Sequence, residues 1–212
     1  MILLQALIIA ILLGVIRGGR PNLQNPLPLR WPALPLICLV AQFVAMRLGG
    51  PRTAGFDLPA AILLVSNLAL LVMVWINRRV PGMCWLGLGL LLNLTVMLAN
   101  GGYMPIAPDT LERIGGQAMA AAPAGTRLLG YKDIVLPREQ TCLGVLSDVL
   151  VLPPPLAANA FSPGDVLIVV GLFLFVQRVL LPDATAGSRE VAALALTAPA
   201  PRSGEVAGRA PR

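Results

Sequence analysis

Two carboxylates and one amide stand where chemistry is possible. Asp148 precedes Val149-Leu-Val-Leu152 and Pro153-Pro-Pro155. Asp165 closes Ser162-Pro-Gly-Asp165, directly ahead of an apolar run, and Asn100-Gly101-Gly102 follows another. Brought together, Asp148, Asp165 and Asn100 would make a polar pocket in which two acids bind a cation or share a proton. Each group also has a plainer role. Ser162 or Asp165 can cap a helix, where a carboxylate is favoured. Asn100 and its glycines can end a helix with left-handed backbone angles, although a glycine pair also lets a ligand or another backbone approach closely. Three prolines after Asp148 give a stiff, extended segment. Asp109-Thr-Leu-Glu112 fits a capping box that opens a short surface helix reaching about Ala121. The ligand-binding candidates are therefore Asn100, Gly101, Gly102, Asp148 and Asp165.

Most catalytic chemistry lacks its residues. The chain has no histidine, which removes the usual neutral-pH acid–base group and the commonest metal ligand. Cys38, Cys84 and Cys142 lie far apart with no C-x-x-C pair and read as small hydrophobes or incidental thiols. H-E-x-x-H, G-x-S-x-G and Walker patterns do not occur. No catalytic residue, metal set or cofactor is expected.

The elements that position these groups are apolar helices. Hydrophobic residues make up 57% of the 212 and charged residues 12%, against about 25% charged in soluble domains. Mean hydropathy is +0.79. Five apolar runs stand out, at 2–16, 31–46, 58–76, 83–99 and 166–181. A helix needs about 20 residues to cross about 30 Å of hydrocarbon. The third and fourth runs satisfy that directly, and the first needs flanking residues or local thinning. It lacks a basic start and an A-x-A site, so it reads as a retained helix and not a signal peptide. The fold expected is all-α: an integral membrane bundle of five transmembrane helices. An outer cap loop over 100–164 folds back on the helix ends, and a disordered cytoplasmic tail spans 182–212.

Charge sets the orientation. With the N-terminus outside, ten of the sixteen basic residues and three of the ten acids fall on the cytoplasmic side, as the positive-inside tendency requires. The remaining six basic and seven acidic groups lie outside. The net charge of +6 thus marks topology; the basic residues are scattered, without the clustering that nucleic-acid binding needs. The expected location is the bacterial cytoplasmic membrane, with the lipid bilayer and other membrane subunits as partners.

Ala6, Ala10, Gly14 and Gly18 recur every four residues and share one face, a stripe that lets another helix approach closely. It serves packing within the chain or a dimer interface. Asn67 and Asn93 fall at comparable depth on helices joined by the short loop at Arg78 and Arg79, and a hydrogen bond between them is expected. No run carries a mid-membrane Asp, Glu, Lys or Arg, which counts against a proton-driven transporter.

The order of these pieces resembles an uncharacterised family of small bacterial multi-pass membrane proteins, a domain of unknown function. The matching residues are the first helix ending in Arg17-Gly-Gly-Arg20, Asn77 to Gly82, and Leu98-Ala-Asn-Gly-Gly-Tyr-Met-Pro105 with its Asn-Gly-Gly-x-Met-Pro motif. Thr141 to Asp148 and Phe161-Ser-Pro-Gly-Asp165 complete the set. The resemblance spans about residues 1–181 and implies a cell-membrane location without an assigned activity. Two readings of function follow. In the first, the chain is a non-enzymatic accessory or structural subunit of a membrane complex. In the second, it handles a lipid or small solute, as carrier or enzyme, at a site under the cap.

Overall fold

The structure is a computed structural model that describes residues 2–19, 29–48, 57–152 and 159–181. The tail at 182–212 and the proline run at 153–155 lie outside the described residues. Five long helices dominate: α1 (Ile2–Ile16), α2 (Leu34–Arg47), α3 (Leu58–Ile76), α4 (Met83–Ala99) and α7 (Pro163–Leu180). Two of them, α3 and α7, are long and apolar enough to cross a membrane, and α1, α2 and α4 are shorter apolar helices. Two boundaries differ from expectation. Trp31 takes a positive φ of 61°, so α2 starts at Leu34 with Pro35 in its first turn, where a missing N–H is harmless. At the other site, Ser162 caps α7, so that helix begins at Pro163, three residues before the apolar run.

The all-α expectation needs amending in the cap. Between α4 and α7 lie the short helices α5 (Pro108–Arg113) and α6 (Gln117–Ala120) together with four short strands. Strand β1 (Met104–Ile106) pairs in parallel with β2 (Asp133–Val135), with Met104 opposite Asp133. Strand β3 (Leu150–Leu152) pairs antiparallel with β4 (Asn159–Phe161). The cap has a small core of its own, made of Ile106, Leu111, Leu128 and Val135. A second core joins cap to helices: Tyr103, Met104 and Ile134 pack on Ala45, Ala60, Leu63, Val96 and Met97.

The proposed capping box of α5 is absent. Ala107 stands at the N-cap without a side-chain bond, and Asp109 instead pairs with Arg138 at 2.7 Å on the surface. Such an exposed pair is worth under about 1 kcal/mol. The chain before Pro108 is extended, with Ala107 at ψ 146°, as a residue preceding proline prefers. That places the helix start two residues earlier than a cap at Asp109 would.

At the end away from the cap, the helices are tied by polar groups. Arg17 donates to Gln177 Oε1 at 3.2 Å, linking the end of α1 to the end of α7. Asn77, at the end of α3, exchanges two bonds with the Arg30 backbone, at 2.7 and 3.0 Å. Along the α1 stripe, Ala10 and Gly14 face α7 of the same chain. Gln177 Nε2 donates to Ala10 O at 2.8 Å, and a Cβ on Gly14 would meet Leu180 Cδ1 at 2.5 Å. Ala6 is half-buried. Gly18 drops out of the stripe, because α1 ends at Ile16 and Gly18 turns the chain at φ 85° with nothing within 4 Å of a Cβ there.

The tightest seam is between α4 and α7. Gly82 and Gly89 face Gly171 and Gly164. A Cβ on Gly89 would sit 2.4 Å from Gly164 O, and one on Gly171 would sit 2.6 Å from Leu86 N and 2.7 Å from Gly82 O. These neighbours are backbone atoms, so they cannot swing aside. Gly171→Ala is expected to part α4 from α7 and cost about 1–3 kcal/mol. Gly144→Ala, which meets only Thr141 at 3.7 Å, serves as the control. Thermal unfolding in detergent should show a lowered midpoint for the first and none for the second; equal midpoints would refute the seam.

Candidate functional site

The polar groups under the cap are set by the strands and by the first turn of α7. Strand pairing β1–β2 fixes Lys132 and Asp133 beside the end of α4, with Met104 N donating to Lys132 O at 3.0 Å. Asp148 lies just before β3, and its N–H donates to Pro105 O at 3.4 Å. Asp165 is held by a closed ring of bonds. Its backbone N–H donates to Ser162 Oγ at 3.1 Å, and its Oδ2 accepts from Ser162 N at 3.2 Å. That capping box is worth about 1 kcal/mol. Asn93, on α4, completes the ring: Nδ2 donates to Asp165 Oδ1 at 2.8 Å, and Oδ1 accepts from Ser162 Oγ at 2.8 Å.

Lys132 joins the two acids predicted to share a pocket. Its Nζ lies 3.3 Å from Asp165 Oδ2 and 3.8 Å from Asp148 Oδ1. The lysine side chain is 32% exposed and Asp148 only 4%, so the ammonium bridges between water and a buried acid. Asp133 is buried as well. Among the described residues, Asp133 Oδ1 and Asp148 Oδ1 are buried oxygens without a hydrogen-bond donor.

One ammonium among three carboxylates cannot neutralise them all in a low-dielectric setting. Burial and then the charge on Asp148 push Asp133 up to about 8, against the pull of Lys132. Burial likewise raises Asp148, with Lys132 opposing and Asp165 adding to the shift. Burial pulls down on the Lys132 ammonium, but Asp148, Asp165 and Asp133 outweigh it and its pKa is raised. The arrangement can therefore hold a proton among its acids. Among the described residues, no three His, Cys, Asp or Glu come together as a metal cage.

The other predicted residues fall elsewhere. Asn100 stays out of the cluster. Its amide exchanges two bonds with the Cys142 backbone, at 2.9 and 3.0 Å, and also donates to Val96 O. Gly101 and Gly102 take φ of 77° and 94°, and Gly102 N donates to Met97 O at 2.7 Å. They end α4 as a left-handed cap. The expected Asn67–Asn93 bond does not form. Asn67 donates to Leu63 O in its own helix, while Asn93 faces α7, because the glycine seam brings α7 closer to that face of α4 than α3.

Sequence reasoning missed Lys132 and Asp133. Their signal was an adjacent Lys-Asp pair ahead of a β-branched run in a chain with few charges. A second cap anchor was missed too. Tyr103 Oη donates to Asp57 Oδ1, and the Arg127 guanidinium stacks on the Tyr103 ring at 4.9 Å. Arg127 lies 3.7 Å from Asp57 Oδ2 and donates to the terminal α2 carbonyls of Ala45 and Leu48. Asp57 also caps α3 by accepting from Ala60 N at 2.9 Å.

The chain belongs to the family of unknown function DUF5317, whose profile matches residues 26–177. All of Asn93, Lys132, Asp133, Asp148, Ser162 and Asp165 lie inside that match, and α1 lies outside it. An uncharacterised protein of Thermotoga maritima is 25% identical over 174 residues, covering 82% of this chain and 89% of the relative. No solved structure matches the chain.

Two outcomes follow from the cluster. Lys132→Met leaves Asp148 and Asp165 buried without their cation. The expected loss is about 3 kcal/mol, the low end for a broken buried pair because the lysine is partly in water. Asp148→Asn in the same chain should recover part of it in denaturant unfolding. The pH dependence has a definite sign. Between 3.8 and about 8 the folded chain keeps a proton on Asp133 that the unfolded chain has released. Stability therefore falls as pH rises through that window, by at most about 1.4 kcal/mol per pH unit. Asp133→Asn should flatten the trend in thermal midpoints taken between about pH 5 and about pH 8; an unchanged slope would contradict it.

Proposed function

We propose that all five long helices cross the bacterial cytoplasmic membrane, N-terminus outside and C-terminus inside. In this reading the chain is a non-enzymatic subunit of a membrane complex, and its extracytoplasmic cap is latched onto the bundle. The observation that carries it is the inverted distribution of polarity. Every long helix turns large apolar side chains outward, among them Ile16 at 77% exposure, Leu36 at 64%, Leu58 at 67% and Trp75 at 67%. The polar residues Ser66, Asn77, Asn93, Asp165 and Gln177 are all buried. A water-soluble bundle has the opposite pattern, and an apolar perimeter of this extent suits lipid. Basic and aromatic residues support the orientation. Arg17, Arg30, Arg78 and Arg79 gather at the end away from the cap, with the exposed indoles of Trp31, Trp75 and Trp85. The arginines favour the cytoplasmic side, and the indoles mark a membrane–water interface there.

The subunit reading draws on the cap surface. Outside the helices, Leu129, Tyr131, Leu143 and Val145 are exposed, Val145 at 82%, apolar side chains that a partner protein would cover. The solute- or lipid-handling reading keeps one observation in its favour, the buried acid oxygens of Asp133 and Asp148 that lack donors.

The native thiols report topology. Cys142 in the cap and Cys84 at the start of α4 are both exposed, and Cys38 is buried. A membrane-impermeant maleimide should label Cys142 in intact spheroplasts and Cys84 only after permeabilisation. The reverse order would overturn the orientation, and a chain recovered without detergent would overturn the membrane reading itself. Gentle purification should then yield a stoichiometric protein partner. A lone protein carrying one enriched solute, released by Asp148→Asn in a chain that still folds, would instead establish the site-bearing reading.

A further inference from the structure

The outward faces of α3 and α4 enclose a groove of about 620 Å³. Leu71, Val72 and Trp75 form one wall, and Cys84, Leu88 and Leu91 the other. Its floor is low at Gly87, where a Cβ would already press Val74 Cγ1 at 3.1 Å. The lining is apolar along its length and carries one charged group, Arg78, at the basic end. That guanidinium is fixed, not trailing. It stacks on the Trp75 ring at 5.0 Å and donates to Trp75 O at 3.1 Å. Among the described residues, no carboxylate pairs with Arg78 or with Arg79 beside it. An arginine has five donors, and among the described residues the Arg78 side chain donates to Trp75 O alone.

We infer that this groove binds an anionic phospholipid, with one acyl chain along the α3–α4 cleft and the phosphate on Arg78. The inference rests on the membrane reading above. The distribution of chemistry selects the occupant. A lipid is apolar along its tail and anionic at one end, and the groove is its complement in both respects. The charge also lies at the right level, since Trp75 and Trp85 mark the headgroup zone. Arginine suits a phosphate better than lysine because its planar fork donates in pairs. Basic sites between helices on the cytoplasmic side select anionic headgroups in this way. A partner helix would fill the apolar length but would leave the Arg78 donors unused.

The test uses the full chain in nanodiscs of equal parts phosphatidylglycerol and phosphatidylethanolamine, followed by quantification of lipid retained after detergent exchange. Phosphatidylglycerol should be enriched over phosphatidylethanolamine. Arg78→Ala should cut that enrichment about fivefold, as expected for one interfacial arginine, with the lipid-free thermal midpoint unchanged. Leu88→Trp, at a half-exposed wall position, should remove retention by filling the cleft while Arg78 stays intact. Equal retention of both lipids, or enrichment insensitive to both variants, overturns the site, as does a protein helix cross-linked along the groove. Failure of the membrane reading would show separately, as loss of the thiol-labelling pattern of Cys84 and Cys142.

Discussion

The fold turns on the Asp165 carboxylate. It is one residue doing three things: it closes the cap of α7 with Ser162, accepts from Asn93 on α4, and takes the ammonium of Lys132 from the cap. A buried carboxylate is tolerated only when its lone pairs and its charge are both met. Satisfying this one fixes the start of α7, its register against α4, and the place of the strand that follows Lys132. The Gly164 and Gly89 contact beneath it is possible only in that register, since a shift along the helix would bring a side chain to a gap that admits none.

Among apolar helices, such constraints count for more than burial does. In water, fully burying a leucine is worth about 1.5–3 kcal/mol. In lipid the same leucine gains little by facing another helix instead of a tail. On the proposed membrane reading, close glycine contacts and polar ties decide which helices meet. They are where the structure concentrates them: glycines along α4 and α7, Gln177 to Ala10 and Arg17, and Asn77 to the Arg30 backbone. The cap obeys the other regime. Its contacts with the helix ends, through Tyr103, Met104 and Ile134, are fully buried and are reinforced at three polar anchors: Arg127 with Asp57, Lys132 with Asp148 and Asp165, and Asn100 with the Cys142 backbone.

The helices were legible because long apolar runs admit few alternatives: three of the five starts and all five ends fall within a residue of the hydropathy edges. Cap strands were not legible: three-residue elements carry too few positions to show a period. Asp148 and Asp165 could be singled out because each stands alone beside a helix start or a proline run. Lys132, which joins them, could not. Its partners are 16 and 33 positions away, and only the β1–β2 register brings them within reach. Asn93 shows the same limit from the other side. Its position along the apolar run was readable, but its direction was set by glycines at seven-residue spacing on α4 and α7, a pattern masked by the more obvious four-residue stripe on α1.

Those facts bear on how the latch relates to function. A purely mechanical clasp would balance its charges, as the exposed Arg138 and Asp109 do. Here one cation serves three acids, and two buried carboxylate oxygens are left without donors. The excess makes the cap's attachment depend on a proton, because neutralising Asp133 removes the repulsion it shares with Asp148 and Asp165. The opposite anchor carries no such excess of charge: Arg127 and Asp57 are matched one to one, with Tyr103 and two helix carbonyls as further partners, although Arg127 Nε is buried without an acceptor among the described residues. One side of the cap is thus held by a balanced pair and the other by an unbalanced cluster.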